Sequence, residues 1–489
     1  MIFPKGPRGH RRIFGASGTL GQGNKGHVGQ RILRLTNLKG EVAPAWVADH
    51  GSAACTTENP RGTTGLQHDV AVTPANNPRL MVDTTDATGR CHDPGGQGLE
   101  LIDIRKLHKR GWKPRDIHLT RHQGGSHTVT RDATRPWILY NNSSESTGMP
   151  WIDVLDVRSC LIKGKKVTRK KLRRNCRPKV YRIPFQPDWS RRMNRNGDLV
   201  EGSEATCHDI NVKAGRIYCA GLNATLIFDV RNLTDAKGNV RGTRLPCKVI
   251  DGTKTKAKVT DCNDLGDAPI GQARGWNFLG TANHAGRNGT HNTNTEYRSD
   301  EEVSVAHESP VTEDEKWMFV TDERGGGVVP GGASCSPGVP NPYGNGGVHV
   351  YDISNPSNIK PAVTPEGNRA VFIGEPTVAS PTFCTAHRME LIPGEQRFFI
   401  AWYSQGVKVV DYFINAKGEW TFRETASFVL PSTQVWTGAP FKIQDNGDGT
   451  KTYNLMTGDI SRGIDIISYT AEPNPLGASP PTAARRTGP

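Results

Sequence analysis

Short apolar runs bounded by Gly, Pro, Asn or Asp recur along the chain: "RLMVD" at 79–83, "WILY" at 137–140, "RIYCA" at 216–220, "WMFV" at 317–320, "RFFIAW" at 397–402 and "TYNLM" at 452–456. Runs of this length, rich in β-branched and aromatic residues, predict strands, because side chains along a strand alternate between two faces. Each central run is preceded by a histidine-led run and followed by an apolar run that closes on Asp. The copies run from His68 to Asp103, His127 to Asp156, His208 to Asp229, His307 to Asp352 and His387 to Asp411, and a sixth has Trp436 in place of histidine and closes on Asp465. A fourth run follows in most: "DIHLTR", "KVYRIPF", "CKVID", "AVFIG" and "ASFVL".

Four-stranded antiparallel units repeated along one chain point to an all-β protein, a single β-propeller. The count predicts six blades, or seven if residues 232–306 hide a degenerate one. The N-terminal "QRILRLTNL", 30–38, is expected to complete the last blade and close the ring, which would remove two open sheet edges. The expected organisation is an N-terminal extension over 1–29, the propeller over 30–471 and a Pro-rich flexible tail over 472–489. The closing Asp of "LIDI", "VLDV", "IFDV", "VYDI", "VVDY" and "GIDI" ends a strand, where its carboxylate can accept backbone N–H groups and fix the turn.

These closing runs, with "TCHDINV", "AHESPVTEDEKWMFVTDERGGG" and "CTAHRMELIP", resemble the LVIVD-repeat proteins, secreted bacterial β-propellers, over about residues 60 to 470. The resemblance implies the fold and export and carries no settled activity. Long insertions, a basic loop and a terminus "MIFPKGPRGHRRIFGASGTL" without the apolar run of a signal peptide depart from it, so the numbering is expected to begin at a mature or trimmed end.

If the repeat positions are equivalent, His68, His127, His208, His307 and His387 form a ring. Asp69, Asp209 and Glu308 immediately follow three of them. Histidine with carboxylate is the ligand set of transition metals, so a metal at the propeller axis is one reading; packing and hydrogen bonding between blades is the other. Neighbours in a strand point opposite ways, and the carboxylates could instead brace adjacent blades.

The 55 Gly and 33 Pro among 489 residues fit frequent turns, and no apolar window approaches the length of a membrane span. Of the net charge of +14, most sits in 162–179, where Lys163, Lys165, Lys166, Arg169, Lys170, Lys171, Arg173 and Arg174 lie with two further cations and no acid. This stretch reads as a solvated hairpin tip or as a patch for an anionic ligand; it lacks the interleaved aromatics that stack bases, so nucleic acid is a poor partner. The ten cysteines show no CxxC pattern and favour structural disulfides and an oxidising compartment. The expected pairs are Cys160 with Cys176, Cys207 with Cys219, Cys247 with Cys262, Cys335 with Cys384 and Cys55 with Cys91. "DNGDGT", 445–450, reads as a tight hairpin turn, and "TDERGGGVVPGG", 321–332, as a surface loop. Three functions fit: a secreted binding scaffold for an extracellular ligand, polymer or protein, an extracellular metalloenzyme using the histidines, or a cell-surface assembly component.

Overall fold

The computed structural model describes residues 2–3, 12–18, 29–51, 66–86, 98–121, 126–142, 150–162, 167–186, 189, 192–193, 199–200, 206–221, 224–251, 257–262, 271–283, 303, 305–323, 334–335, 346–374 and 380–480. Seven antiparallel meanders, in chain order, make this the all-β fold of a seven-bladed β-propeller, one blade more than the six favoured by the repeat count. The chain divides into two compact units: unit 1 is Met1–Met193, Gly197–Asn283 and Gly463–Ile466, and unit 2 is Asn194–Asn196, His284–Arg462 and Ile467–Pro489.

Unit 1 carries blades 1 to 4. Blade 1 is Ile2–Phe3, Phe14–Gly18, Gly29–Thr36 and Val42–Gly51. The extra blade therefore comes from the N-terminus and not from 232–306. Two of its strands occupy the stretch expected to be an extension, and the strand in "QRILRLTNL" pairs with Phe14–Gly18 and Val42–Gly51 instead of completing the last blade. Blade 2 is Leu66–Thr73, Leu80–Asp86, Gly98–Asp103 and Asp116–Arg121. Blade 3 is Val129–Arg131, Ile138–Asn141, Trp151–Asp156 and Lys179–Pro184.

Blade 4 starts with the hairpin Asp209–Lys213 and Arg216–Ala220, whose turn residues Ala214 and Gly215 both have positive φ, 45° and 81°. That primed turn matches the twist of the flanking strands. Ala224–Asp229 follows, and the fourth strand is Asn277–Asn283. "CKVID", expected in that place, instead supplies Lys248–Asp251, which pairs with Lys258–Asp261; the latter runs parallel to Asp116–Arg121 and widens blade 2.

Unit 2 carries blades 5 to 7. Blade 5 is Ala306–Glu308, Trp317–Asp322 and Val348–Asp352, with Lys360–Pro361 and Val371–Phe372 both paired to the third strand. Blade 6 is Met389–Leu391, Arg397–Ala401, Val407–Ile414 and Trp420–Phe428. Blade 7 has three strands, Val435–Asp445, Lys451–Asp459 and Ile466–Ala471, and "DNGDGT" is the turn between the first two. The start of the expected flexible tail is tied down on blade 6: Asn474 Nδ2 donates to the Gln396 carbonyl at 2.6 Å, and the Gln396 N–H donates to the Asn474 carbonyl at 2.7 Å.

The core lies in layers between successive sheets, as buried inward-facing residues on two packed sheets require. In unit 1, Phe14, Ile32 and Ala48 pack on Val70, Met81 and Ile102; Leu80, Val82 and Leu101 pack on Leu139 and Leu155; Tyr140, Val154 and Ile183 pack on Ile217 and Phe228. In unit 2, Phe319 and Val350 pack on Phe398, Tyr412 and Trp420, and Phe399 and Val409 pack on Tyr453 and Leu455.

The closing aspartates fix turns. Asp103, Asp156 and Asp229 each accept the N–H of the residue two further on, at 3.1, 3.0 and 2.9 Å, and each also pairs with that residue's guanidinium, Arg105, Arg158 and Arg231. Asp411 differs: it is buried between Arg397, at 2.6 Å, and Arg423, at 3.0 Å.

Candidate functional site

The repeated histidines come together in pairs within each unit. In unit 1, His127 and His208 are buried with ring centroids 4.3 Å apart, and the N–H of each is held by the strand beside it, His127 to the Asn142 carbonyl and His208 to the Ala220 carbonyl. His68 lies on Leu66–Thr73, and its side chain falls outside the described residues. In unit 2, the buried rings of His307 and His387 are 4.0 Å apart.

Two of the three carboxylates that follow the histidines serve the next blade. Asp69 Oδ2 accepts the Val129 N–H at 3.1 Å, and Glu308 Oε2 accepts the Met389 N–H at 2.7 Å. Asp209 Oδ1 accepts the Ile210 N–H at 2.6 Å. Alternation along the strand sends residue i+1 to the opposite face, and Asp69, Asp209 and Glu308 each brace backbone.

The acid that does meet histidine in unit 2 is Glu323, which follows blade 5's second strand. Its Oε2 is 3.7 Å from His307 Nε2 and its Oε1 is 3.4 Å from His387 Nε2. The Tyr403 hydroxyl donates to Oε1 in a short hydrogen bond. Tyr403 has φ 42°, a left-handed conformation that costs a side-chain-bearing residue about 1–3 kcal/mol. His387 Nδ1 lies 2.6 Å from the Trp436 carbonyl, and a carbonyl can only accept, so Nδ1 carries a proton and Nε2 is the nitrogen that faces Glu323. Two imidazoles, a carboxylate and a phenol held this way can share a proton or ligate a metal. Glu323 sits at the edge of the stretch read as a surface loop; only its position directly after "WMFVTD" on a blade's second strand could have marked it.

The basic stretch is the connection of a hairpin, between the antiparallel strands Trp151–Asp156 and Lys179–Pro184, and it carries a helix. Cys160 and Cys176 form a disulfide around it, and Arg169–Asn175 is a helix, α1, capped by the Thr168 side chain, which accepts the Lys171 N–H. Leu172 anchors α1 in the layer between blades 2 and 3. Lys170, Lys171 and Arg174 are exposed; Arg169 and Arg173 are half-buried, and Arg173 Nε donates to the Asp116 carbonyl at 3.0 Å. Lys163, Lys165 and Lys166 lie outside the described residues.

Directly after α1, a groove of about 450 Å³ opens in unit 1, lined by Arg177, Lys179 and Arg244 with Val180, Leu245 and Val249. No acid lines it. The second disulfide, Cys247–Cys262, holds one wall, and Leu245 is tied to blade 3 by its N–H to the Val180 carbonyl at 2.7 Å. Thr260 lies on the floor and its hydroxyl is 2.8 Å from Nε2 of the buried His118. Burial, with the Arg177 charge second, lowers His118 to about 3, so it is neutral. The third disulfide is Cys207–Cys219. Cys384 is also disulfide-bonded, and the strand Ser334–Cys335 pairs with Ser380–Phe383 just before it; the side chain of Cys335, and Cys55 and Cys91 entirely, lie outside the described residues. Among the described residues no helix is long and apolar enough to cross a membrane.

No protein-family model and no curated protein matches the chain. Solved structures do. One is a candidate 6-phosphogluconolactonase from Bacteroides fragilis, at 9% identity and a TM-score of 0.46, with 94% of this chain and 96% of that one covered. A second is a protein from Lactobacillus plantarum, at 8% identity and a TM-score of 0.44, with 95% and 97% covered. A third is the β-propeller domain of Cps50 (Swd1) from Myceliophteria thermophila, at 9% identity and a TM-score of 0.43, with 95% and 96% covered. Likenesses this distant carry no argument about what the protein binds or does.

Proposed function

We propose that the protein is a secreted binding scaffold of the LVIVD-repeat type that engages an extracellular anionic ligand at the groove beside α1. The observation that carries this reading is a concave, disulfide-framed surface with three basic side chains and no acid, continuous in sequence with the basic helix. A surface of one sign, with apolar floor residues and cations at its rim, attracts and orients a polyanion without turnover. Three disulfides among the described residues, and the bonded Cys384, support an oxidising compartment, where such pairs persist.

The test replaces Arg177, Lys179 and Arg244 together with Ala and measures retention on an immobilised carboxylated or sulfated polysaccharide across a salt gradient. Exposed charge contacts contribute about 0.2–1 kcal/mol each, so the triple variant is expected to bind roughly three- to a hundredfold more weakly and to show a shallower salt dependence. Retention equal to that of the unaltered protein would dispose of the reading.

A second reading, an extracellular metalloenzyme, is favoured by the Glu323 cluster of unit 2 with His307, His387 and Tyr403. Titration with Co²⁺ checks it: E323Q is expected to lose one equivalent of the absorbing ion, and identical stoichiometry in both proteins rules the centre out.

A further inference from the structure

Five polar residues lie buried where blade 2 faces blade 1, in the same layer as Met81, Ile102 and Ala48. Asp83 and Glu100 stand directly opposite each other on neighbouring strands of blade 2, and Asp116 is on the next strand, across a register shift at Ile102. His50 comes from the last strand of blade 1 and stands opposite Gln30 on the strand before it. Gln30, Asp83 and Glu100 are fully buried, and Asp116 and His50 are only 5% and 6% exposed.

The geometry converges. His50 Nε2 is 3.0 Å from Glu100 Oε2 and 3.0 Å from Asp116 Oδ1. One ring nitrogen of His50 and one carboxylate oxygen each of Asp83 and Glu100 lie within 4.8 Å of one another. Both oxygens of Asp83 and both amide atoms of Gln30 are buried without a hydrogen-bond partner.

Such a cluster is costly as it stands. Like charges placed directly opposite on a sheet repel, and a carboxylate withdrawn from water without a partner costs several kcal/mol. Burial, then the charge of Glu100, pushes the Asp83 carboxyl well above its usual range. Burial pulls His50 down, but hydrogen bonds to Asp116 and Glu100 more than reverse this and hold it well above its ordinary value. The Nε2 of His50 serves Glu100 and Asp116, and Asp83 is left without a hydrogen-bond partner. A divalent cation between these groups relieves all of this at once.

We propose that His50, Asp83, Glu100 and Asp116 form a closed structural site for one divalent first-row transition ion, Mn²⁺ or Zn²⁺, that staples blade 1 to blade 2. One imidazole among several carboxylates suits these ions, the carboxylates favouring manganese and the imidazole zinc. With every ligand buried, the ion has no open position for a substrate, so the site contributes stability and no turnover.

The experiment is metal analysis and thermal unfolding of the full chain and of D83N. D83N preserves shape and removes one ligand charge, so in a metal-free cluster it relieves repulsion. The purified protein, or protein stripped with chelator while warmed and then incubated with Mn²⁺ or Zn²⁺ and desalted, is expected to retain close to one equivalent at this site. Stripping is expected to lower the melting midpoint by about 5 °C, with recovery on return of the ion. D83N is expected to lose that equivalent and the response, while E366Q, an exposed position in the other unit, keeps both. The assignment is overturned if neither ion changes the midpoint and D83N melts at or above the unaltered protein, as a proton-sharing cluster would. It is overturned equally if only Ca²⁺ stabilises, or if D83N keeps its full metal content.

Discussion

His118 shows how one residue ties the groove to pH. It is buried in blade 2 under the Thr260 side of the groove, and burial with the Arg177 charge holds it at about 3 against an ordinary value of 6.5. The unfolded chain therefore binds a proton that the folded chain refuses between those values, and stability falls as pH drops from 6.5 towards 3, by up to about 1.4 kcal/mol per pH unit from this residue. In the metal-free chain His50 and Asp83, both shifted up, act with the opposite sign, so the quantity to measure is a difference. Replacing His118 with Gln keeps a group able to reach Thr260 and removes the titration. The expected outcome is a smaller loss of melting temperature between pH 7 and pH 5 in H118Q than in the unaltered protein, and parallel curves would show that His118 is not the group responsible. At this scale the histidine series was legible as a repeat, but the partners were not. Asp69 and Glu308 follow their histidines in sequence yet serve the next blade, whereas Glu323 meets His307 and His387 from 16 and 64 residues away.

The elements were read best where alternation and turn chemistry agreed. Leu80–Asp86, Arg216–Ala220 and Arg397–Ala401 all fall on apolar runs, and the Asp-x-Arg turns after the third strands of blades 2, 3 and 4 are local devices that need no distant partner. Reading failed where pairing was non-local. Lys248–Asp251 has strand-forming residues, but nothing in them says that its partner leads to a parallel contact with blade 2. Phe14–Gly18, "FGASG", has almost no alternation and is a strand because Gly29–Thr36 pairs with it and blade 2 covers Phe14 and Ala16. Helix α1 was hidden in a run of cations, where Leu172 is its single anchor and the Cys160–Cys176 bond closes its loop. A loop of this length is restrained by its disulfide by about 3 kcal/mol. The C160S/C176S pair is therefore expected to lower unfolding free energy in denaturant by roughly that amount and to loosen the basic helix, read as faster amide exchange over 167–176; unchanged exchange there would mean that Leu172 packing alone holds it.

For the whole molecule the decisive correction is the seventh blade, and it has a consequence for stability. Residues 2–51 supply Phe14, Ala16, Ile32 and Ala48 to the layer against blade 2, together with His50 of the proposed metal site and Gln30 opposite it. Removing residues 1–51 would expose that apolar face and an unpaired acidic cluster, so the shortened chain is expected to be recovered aggregated or unfolded, judged by size exclusion and circular dichroism. A monomeric, folded product would show that blade 1 is dispensable. The sequence by itself determined the strand class, the repeat, the aspartate turns and three disulfides between cysteines 12 to 16 residues apart, because each depends on alternation or on contacts close along the chain. Only the tertiary structure decided the blade count, the groove and which acids face which histidines. Those depend on which face of a strand is covered and by what, and Asp83 and Glu100 look like ordinary strand residues until the neighbouring blade brings His50 over them.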